Sequence, residues 1–378
     1  MERRYDLDWV RVCAFGLLVL YHVGMYYVTW DWHVKSPHAS DTLEPFMLLS
    51  SPWRLSLLFV VSGAATAFLL GKGREGFLRR RSWRLLVPLL FGMFVVVPPQ
   101  TYYEIVEKAG YDGGWWHFYR LYVTANVCRG EECIDTPTWN HLWFVAYLWV
   151  YTLVLAGVLL LPQRAIERAR TAAERALSGM GVLLWPLLYL AVARLLLVAR
   201  FESTHGLVDD WYNHAQYLPL FLLGWLVARA TPVWDAMVRV RRVALGLACA
   251  SWIYIVWYFW LYAADDPAIG LKLLQRVLWA VQQWCTIVAI FGVARRHLRR
   301  DSSALRYLRD AVFPVYILHQ TLIVVFAHNL KPLGMSPAAE GPLLVALTFA
   351  GCLAGYEIVR RVAWLRPLFG LKRIETRV

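Results

Sequence analysis

Leu7-Asp8-Trp9-Val10-Arg11-Val12-Cys13-Ala14-Phe15-Gly16-Leu17-Leu18-Val19-Leu20-Tyr21-His22 is the stretch on which the fold turns. Continued to Val28, it is long enough to cross the hydrocarbon of a bilayer, which takes about 20 mostly apolar residues. Its only acidic, basic or imidazole side chains are Asp8, Arg11 and His22. Nine further runs share this character, at roughly 54–72, 85–104, 139–161, 181–199, 213–230, 243–263, 271–294, 311–329 and 342–359. The sixth is the weakest, because His214 and Gln216 crowd its start. The runs explain why 59% of 378 residues are hydrophobic and 17% charged, with 20 Trp. A soluble chain carries about 25% charged residues. That balance excludes an ordinary cytosolic enzyme and a disordered chain. It predicts an all-α fold, a polytopic membrane bundle of about ten transmembrane helices forming one domain over the whole chain. No removable signal peptide is expected, since no small-residue cleavage site follows the first run.

The net charge of +13 suggests nucleic acid until the charges are placed. Most of the 39 basic residues fall in the N-terminus, in alternate loops and in the C-terminal tail, and three (Arg11, Arg194 and Arg276) lie inside runs, away from their ends. Such asymmetry is the positive-inside pattern, so both termini are expected in the cytoplasm and nucleic acid is not a partner. Arg79, Arg80, Arg81 and Arg84 share one of the basic loops. Topology and attraction to anionic membrane lipids account for most such residues. Gln163–Ala176, rich in Arg, Glu and Ala, reads as a short surface helix.

The outer loops are aromatic and acidic. Ile105–Pro137 holds Trp115, Trp116, Tyr119, Glu131, Glu132 and Asp135, and Thr29–Pro52 holds Trp30, Trp32 and His33. Rings stack on sugar faces and carboxylates accept hydroxyl hydrogen bonds, but Trp and Tyr also gather at any membrane interface; both readings stand. Six scattered cysteines show no metal-ligand spacing, and no His-Glu zinc motif or Gly-rich phosphate loop is present, so no metal is expected. Cys128 and Cys133, in the long outer loop, are either a disulfide or two thiols in an oxidising compartment.

With no soluble catalytic domain, chemistry must lie among the helices, where polar side chains cost free energy and tend to line a cavity or pathway. Arg11 and His22 fall on one helical face, about 16 Å apart, with Asp8 placed to pair with Arg11. Arg11 could equally snorkel to lipid headgroups, and His22 could equally be a satisfied interhelical hydrogen-bonder. Further polar motifs follow: Ser62-Gly63 in the second run, Arg81-Ser82-Trp83-Arg84 after it, Asn140-His141-Leu142-Trp143-Phe144 at the fourth, Tyr217-Leu218-Pro219 in the sixth and Tyr316-Ile317-Leu318-His319 in the ninth.

In their order and placement these motifs resemble the membrane acyltransferase-3 family, from about Arg4 to Leu371. The resemblance implies transfer of an acyl group from cytoplasmic acyl-CoA to a hydroxyl of an extracytoplasmic sugar, at a bacterial inner membrane. Its nearest members point to succinyl-CoA as co-substrate and a periplasmic glucan as acceptor, with acetyl-CoA and another polysaccharide as alternatives. Arg11, His22, Arg81 and Arg84 carry over as functional positions, with His22 the leading catalytic residue. His319, His141 and Asp8 join it as catalytic candidates, and Tyr316, Trp32, His33 and Trp143 as acceptor contacts. Arg79, Arg80 and Ser62 join Arg81 and Arg84 on the coenzyme. The late motif here reads His319-Gln320, where a second imidazole is expected.

The chemistry suits the residues. Coenzyme A is a polyanion, and guanidinium forks match phosphate oxygens. Removing the hydroxyl proton during attack on the thioester needs a base, and an imidazole near neutrality serves, as base or as transient acyl carrier. On this expectation the face from Arg11 to His22 lines the route from donor to acceptor. A transporter or flippase for a sugar or lipid-linked substrate would share helices, intramembrane charge and aromatic loops, but matched halves with broken helices are not evident.

Overall fold

A computed structural model describes residues 3–373 apart from 72, 74, 130 and 131. Glu131 and the side chain of Glu132 therefore lie outside the described residues. Among those described, the regular structure is helical but for two-residue strands at Cys128–Arg129 and Glu132–Cys133. Cys128 is disulfide-bonded.

The helices are α1 (Tyr5–Tyr27), α2 (Glu44–Ser50), α3 (Arg54–Leu70), α4 (Phe77–Phe91), α5 (Pro98–Ala109), α6 (Trp115–Val123), α7 (Trp143–Val158) and α8 (Gln163–Leu177). They continue as α9 (Gly181–Leu197), α10 (Trp211–Val227), α11 (Thr231–Leu261), α12 (Ile269–His297), α13 (Ser303–Leu330), α14 (Pro337–Arg361) and α15 (Leu365–Leu368). Among the described residues, eight segments are long and apolar enough to cross a membrane, and the pair α8–α9, bent by 103°, makes a ninth. This is a multi-pass membrane protein. The fifth and sixth apolar runs correspond to α9 and α10, each 17 residues. α9 counts toward a crossing only together with α8, and α10 falls short of the eight long segments, so the ten expected crossings come down to eight or nine among the described residues. Several helices overrun their apolar runs: α11 begins at Thr231 and carries Arg239, Arg241 and Arg242 before the run at 243. Arginine is a good helix former, so hydropathy marks hydrocarbon depth and not the helix end.

Two compact units divide the chain. The first comprises Met1–Ala14, Pro45–Leu78 and Val150–Arg309; the second comprises Phe15–Glu44, Arg79–Trp149 and Asp310–Val378. In the first, α3 and α10 meet backbone to backbone. A Cβ on Gly63 would stand 1.9 Å from the Phe221 carbonyl oxygen, and one on Gly224 would stand 2.1 Å from that of Val60. Lipid supplies no hydrophobic drive for helix association, so such close approach supplies it by dispersion. The Ser62-Gly63 pair thus has a packing role. Buried glutamines tie neighbouring helices: Gln283 donates to Ser56 Oγ at 2.7 Å and to Gln216 Oε1 at 2.9 Å.

In the second unit the run from α4 to α5 is broken. Gly92–Val96 forms a π-turn, and Pro98-Pro99 follows. Pro98 has no N–H for the Phe94 carbonyl, while the N–H of Val97 goes to Gly92 O and that of Gln100 to Val97 O. The carbonyls of Met93, Phe94 and Val96 therefore lose their usual partners. The hydroxyls of Tyr122, Tyr119 and Thr321 donate to them at 2.8, 2.9 and 2.7 Å. Such re-satisfaction by side chains is what lets a helix break sit at membrane depth. Burial pushes the Tyr122 phenol up to about 12, so it stays a donor. At the end of α1, the Lys35 ammonium donates to the carbonyls of Met25 (2.6 Å), Val28 and Trp30 (2.9 Å), capping a helix whose last turn has no basic residue of its own.

Candidate active site

The second unit gathers imidazoles. α1 supplies His22, the 3-10 turn Asn140–Leu142 supplies His141, and α13 supplies Tyr316 and His319. Their sequence separations exceed 100 residues for every pair except the two on α13, so packing alone brings them together. His22 Nδ1 lies 2.7 Å from His319 Nε2, with the two rings edge to edge and nearly coplanar, 17° between planes and 5.0 Å between centroids. His319 Nδ1 lies 2.6 Å from the Tyr316 carbonyl oxygen. The His141 ring stands edge-on to His319 at 5.1 Å and 90°. Tyr316 donates its hydroxyl to the His141 carbonyl. His319 is fully buried, Tyr316 and His141 are buried, and His22 is half-buried.

Amide side chains extend this cluster. Gln100, fully buried on α5, donates to Thr321 Oγ1 at 2.7 Å and has its Nε2 3.3 Å from His141 Nδ1. Its Oε1 accepts from Gln320 at 3.0 Å and from Asn140 at 3.1 Å. Gln320 Nε2 also lies 3.0 Å from His33 Nε2, and His33 Nδ1 lies 2.6 Å from Glu104 Oε2. His33 therefore joins the network. The residue standing where a second imidazole was expected is an amide that bridges His33 to Gln100. Gln100, Thr321 and Glu104 were not singled out from the sequence, and Gln320 was noted only as a departure from the motif. A polar residue inside an apolar run was the available signal for each.

Trp32 is buried in a core cluster with Val19, Val23, Tyr26 and Val34, and buried Trp143 packs on Tyr147 at 4.9 Å. Neither ring presents an open stacking face. In the long loop Trp116 does, at 80% exposure, whereas Tyr119 and Tyr122 are engaged on the helix break.

The first unit holds a cavity of about 580 Å³ lined by Arg3, Arg4, Arg11, Arg229 and Asp8 over an apolar wall of Leu7, Val61, Ala65 and Phe68. The expected Asp8–Arg11 pair is present at 3.7 Å, and Asp8 also meets Arg3 at 3.1 Å. Four guanidiniums against one lining carboxylate make the cavity electropositive, and its apolar wall suits an amphiphilic anion. Arg3, Arg4 and Arg229 escaped the sequence reading because each sits at the edge of an apolar run, where positive charge is ordinary. Ser62 lies on α3 and its carbonyl accepts from Thr66. Arg79, Arg80, Arg81 and Arg84 occupy the first turns of α4, in the second unit, where Arg84 donates to the Gly370 carbonyl at 3.2 Å. Arg194 donates to the Tyr212 hydroxyl at 2.7 Å and lies over the Trp279 ring. Among the described residues, no group of three or more His, Cys, Asp and Glu side chains is placed to hold a metal ion.

A family model described as an acyltransferase domain matches residues 4–357. Proteins named "Glucans biosynthesis protein C" from Salmonella paratyphi A, Salmonella agona and Salmonella typhi are each 25% identical to this chain, covering 98% of it and 95% of the relative. No solved structure matches the chain.

Proposed function

The chain belongs to the acyltransferase-3 family, and from that premise we propose that it moves an acyl group, succinyl in the first instance, from acyl-CoA to a hydroxyl of a periplasmic glucan. The observation that carries the reading is the His22–His319 contact at 2.7 Å, a pair of imidazoles within a mostly apolar helix bundle. His22 acts as the general base. It takes the proton of the acceptor hydroxyl as the oxygen attacks the thioester carbonyl; the tetrahedral intermediate then collapses with loss of the C–S bond, and the leaving thiolate receives that proton. Such proton transfer is worth about 10²–10⁴-fold.

The coenzyme's phosphates are anionic and its pantetheine arm is long and weakly polar. The cavity with Arg3, Arg4, Arg11 and Arg229 over its apolar wall matches both properties and supports an anionic, amphiphilic donor. Arg81 and Arg84, with Arg79 and Arg80, supply further positive charge at the start of α4. On the acceptor side, Glu104, which His33 Nδ1 meets at 2.6 Å, offers a carboxylate whose remaining lone pairs can accept from sugar hydroxyls. The succinyl and glucan assignments lean on what the relatives are named for, and the positive-inside pattern of the basic loops supports a cytoplasmic location for both termini.

Mass spectrometry of periplasmic glucans from cells with and without the protein tests the reading. Glucans carrying an added acyl mass only in its presence are expected, together with glucan-dependent release of free CoA by the purified protein. Unchanged glucans and no such release would overturn it.

A further inference from the structure

We infer that His319 is a positioning residue that fixes the tautomer of His22, making Nε2 of His22 the nitrogen that takes the acceptor's proton. The inference deepens the reading of His22 as base and rests on it. A carbonyl oxygen can only accept, so the 2.6 Å contact between His319 Nδ1 and the Tyr316 carbonyl puts a hydrogen on Nδ1. The singly protonated ring then carries its lone pair on Nε2. Two nitrogens 2.7 Å apart share one hydrogen, so His22 supplies it from Nδ1. With Nδ1–H committed, the lone pair of His22 is on Nε2.

The orientation of His319 is itself determined. His141 Nε2 faces the Ile317 carbonyl at 3.1 Å and so carries the hydrogen, which leaves its Nδ1 to accept from Gln100. Gln100 is held in that sense because its Oε1 already accepts from Gln320 and Asn140. The two buried imidazoles thus have opposite, fixed tautomers, and the edge of one packs on the face of the other. When His22 is protonated at Nε2, its Nδ1–H still points at an acceptor, so the imidazolium forms without rearrangement. The logic is that of a base oriented by a third group, with a backbone-anchored imidazole where a carboxylate is more usual. Without that acceptor, the tautomer with its hydrogen on Nε2, which cannot abstract a proton there, is no longer disfavoured by His319.

Steady-state kinetics of His319→Ala and His319→Gln, with acyl-CoA and glucan as substrates, test this. For His319→Ala, kcat should fall about 10²-fold with KM for acyl-CoA unchanged. His319→Gln places an amide oxygen near the position of Nε2 and should recover most of the lost kcat. Full kcat in the Ala variant, or a Gln variant no better than Ala, would overturn the inference. If His22→Ala is inactive while His319→Ala is fully active, the base survives and only the positioning role falls; full activity of His22→Ala removes the base itself. A readout that needs no substitution at 319 is solid-state NMR of ¹⁵N-histidine-labelled wild-type protein. A pyridine-type nitrogen at His22 Nε2, assigned by its loss in His22→Gln, is expected, and a pyrrole-type nitrogen there would overturn the inference.

Discussion

Arg229 occupies the space that a side chain on Gly71 would need: its Nη2 lies 2.0 Å from the position of a Cβ there. The glycine therefore admits a guanidinium to the electropositive cavity. A long flexible side chain can swing aside, so Gly71→Ala should displace Arg229 without unfolding the protein. A charge-assisted hydrogen bond to phosphate is worth about 1.5–3 kcal/mol, so affinity for a non-hydrolysable acyl-CoA thioether should drop at least about tenfold, as should that of Arg229→Gln. Calorimetric titration checks both, and an unchanged Kd would detach the cavity from the donor.

Removing the base should be costlier for turnover than for binding. His22→Ala is expected to lower kcat by about 10²–10⁴-fold while acyl-CoA still binds. A purified variant that acylates glucan at the normal rate would show that the proton leaves by another route.

Reciprocal glycines on α3 and α10 make a sharp comparison. Gly63→Ala forces a methyl into the Phe221 backbone, which cannot yield as a side chain can, so the detergent-solubilised protein should melt several degrees lower or fail to fold. Gly246→Ala on α11 meets nothing within 4 Å and should be neutral. Equal melting temperatures for the two would mean that α3 and α10 are not in backbone contact.

The π-turn makes a polar prediction. Tyr122→Phe keeps the ring packed in its cluster with Phe118 and Ile105 but strips the donor from the Met93 carbonyl. An unsatisfied buried group costs about 1–3 kcal/mol, to be read as lower resistance to thermal unfolding. Wild-type stability would indicate that the carbonyl has found another donor.

Orientation can be read by labelling. Arg170→Cys, on α8 and in a background without the exposed Cys13 and Cys249, should react with an impermeant maleimide only from the cytoplasmic face. Reaction from outside would invert the topology.

Local features were legible from the chain; distant pairings were not. The Asp8–Arg11 pair followed from i, i+3 spacing, and α8 from its Arg/Glu/Ala composition. The apolar runs foretold the helices because hydrocarbon length is written directly in hydropathy. His22 and His319 were both flagged as polar intruders, but their contact spans 297 positions and depends on how α1 and α13 pack. Gln100 was hidden differently: the run at 85–104 reads as one continuous crossing, whereas the chain breaks at a π-turn, resumes as α5 and turns that amide inward. Trp32 shows the limit of aromatic loop readings, since its neighbours Val34 and Tyr27 carry the ring into the core.

The hydroxyl of Thr321 on the Val96 carbonyl has a consequence for biogenesis. Insertion machinery sorts segments by greasiness, and valine at that position would please it at least as well as threonine. The defect would surface only afterwards, when the inserted segments assemble and an oxygen of the interrupted helix finds no proton to accept. Entry into the bilayer and maturation within it are thus judged by different criteria, and a single methyl-for-hydroxyl exchange should separate them.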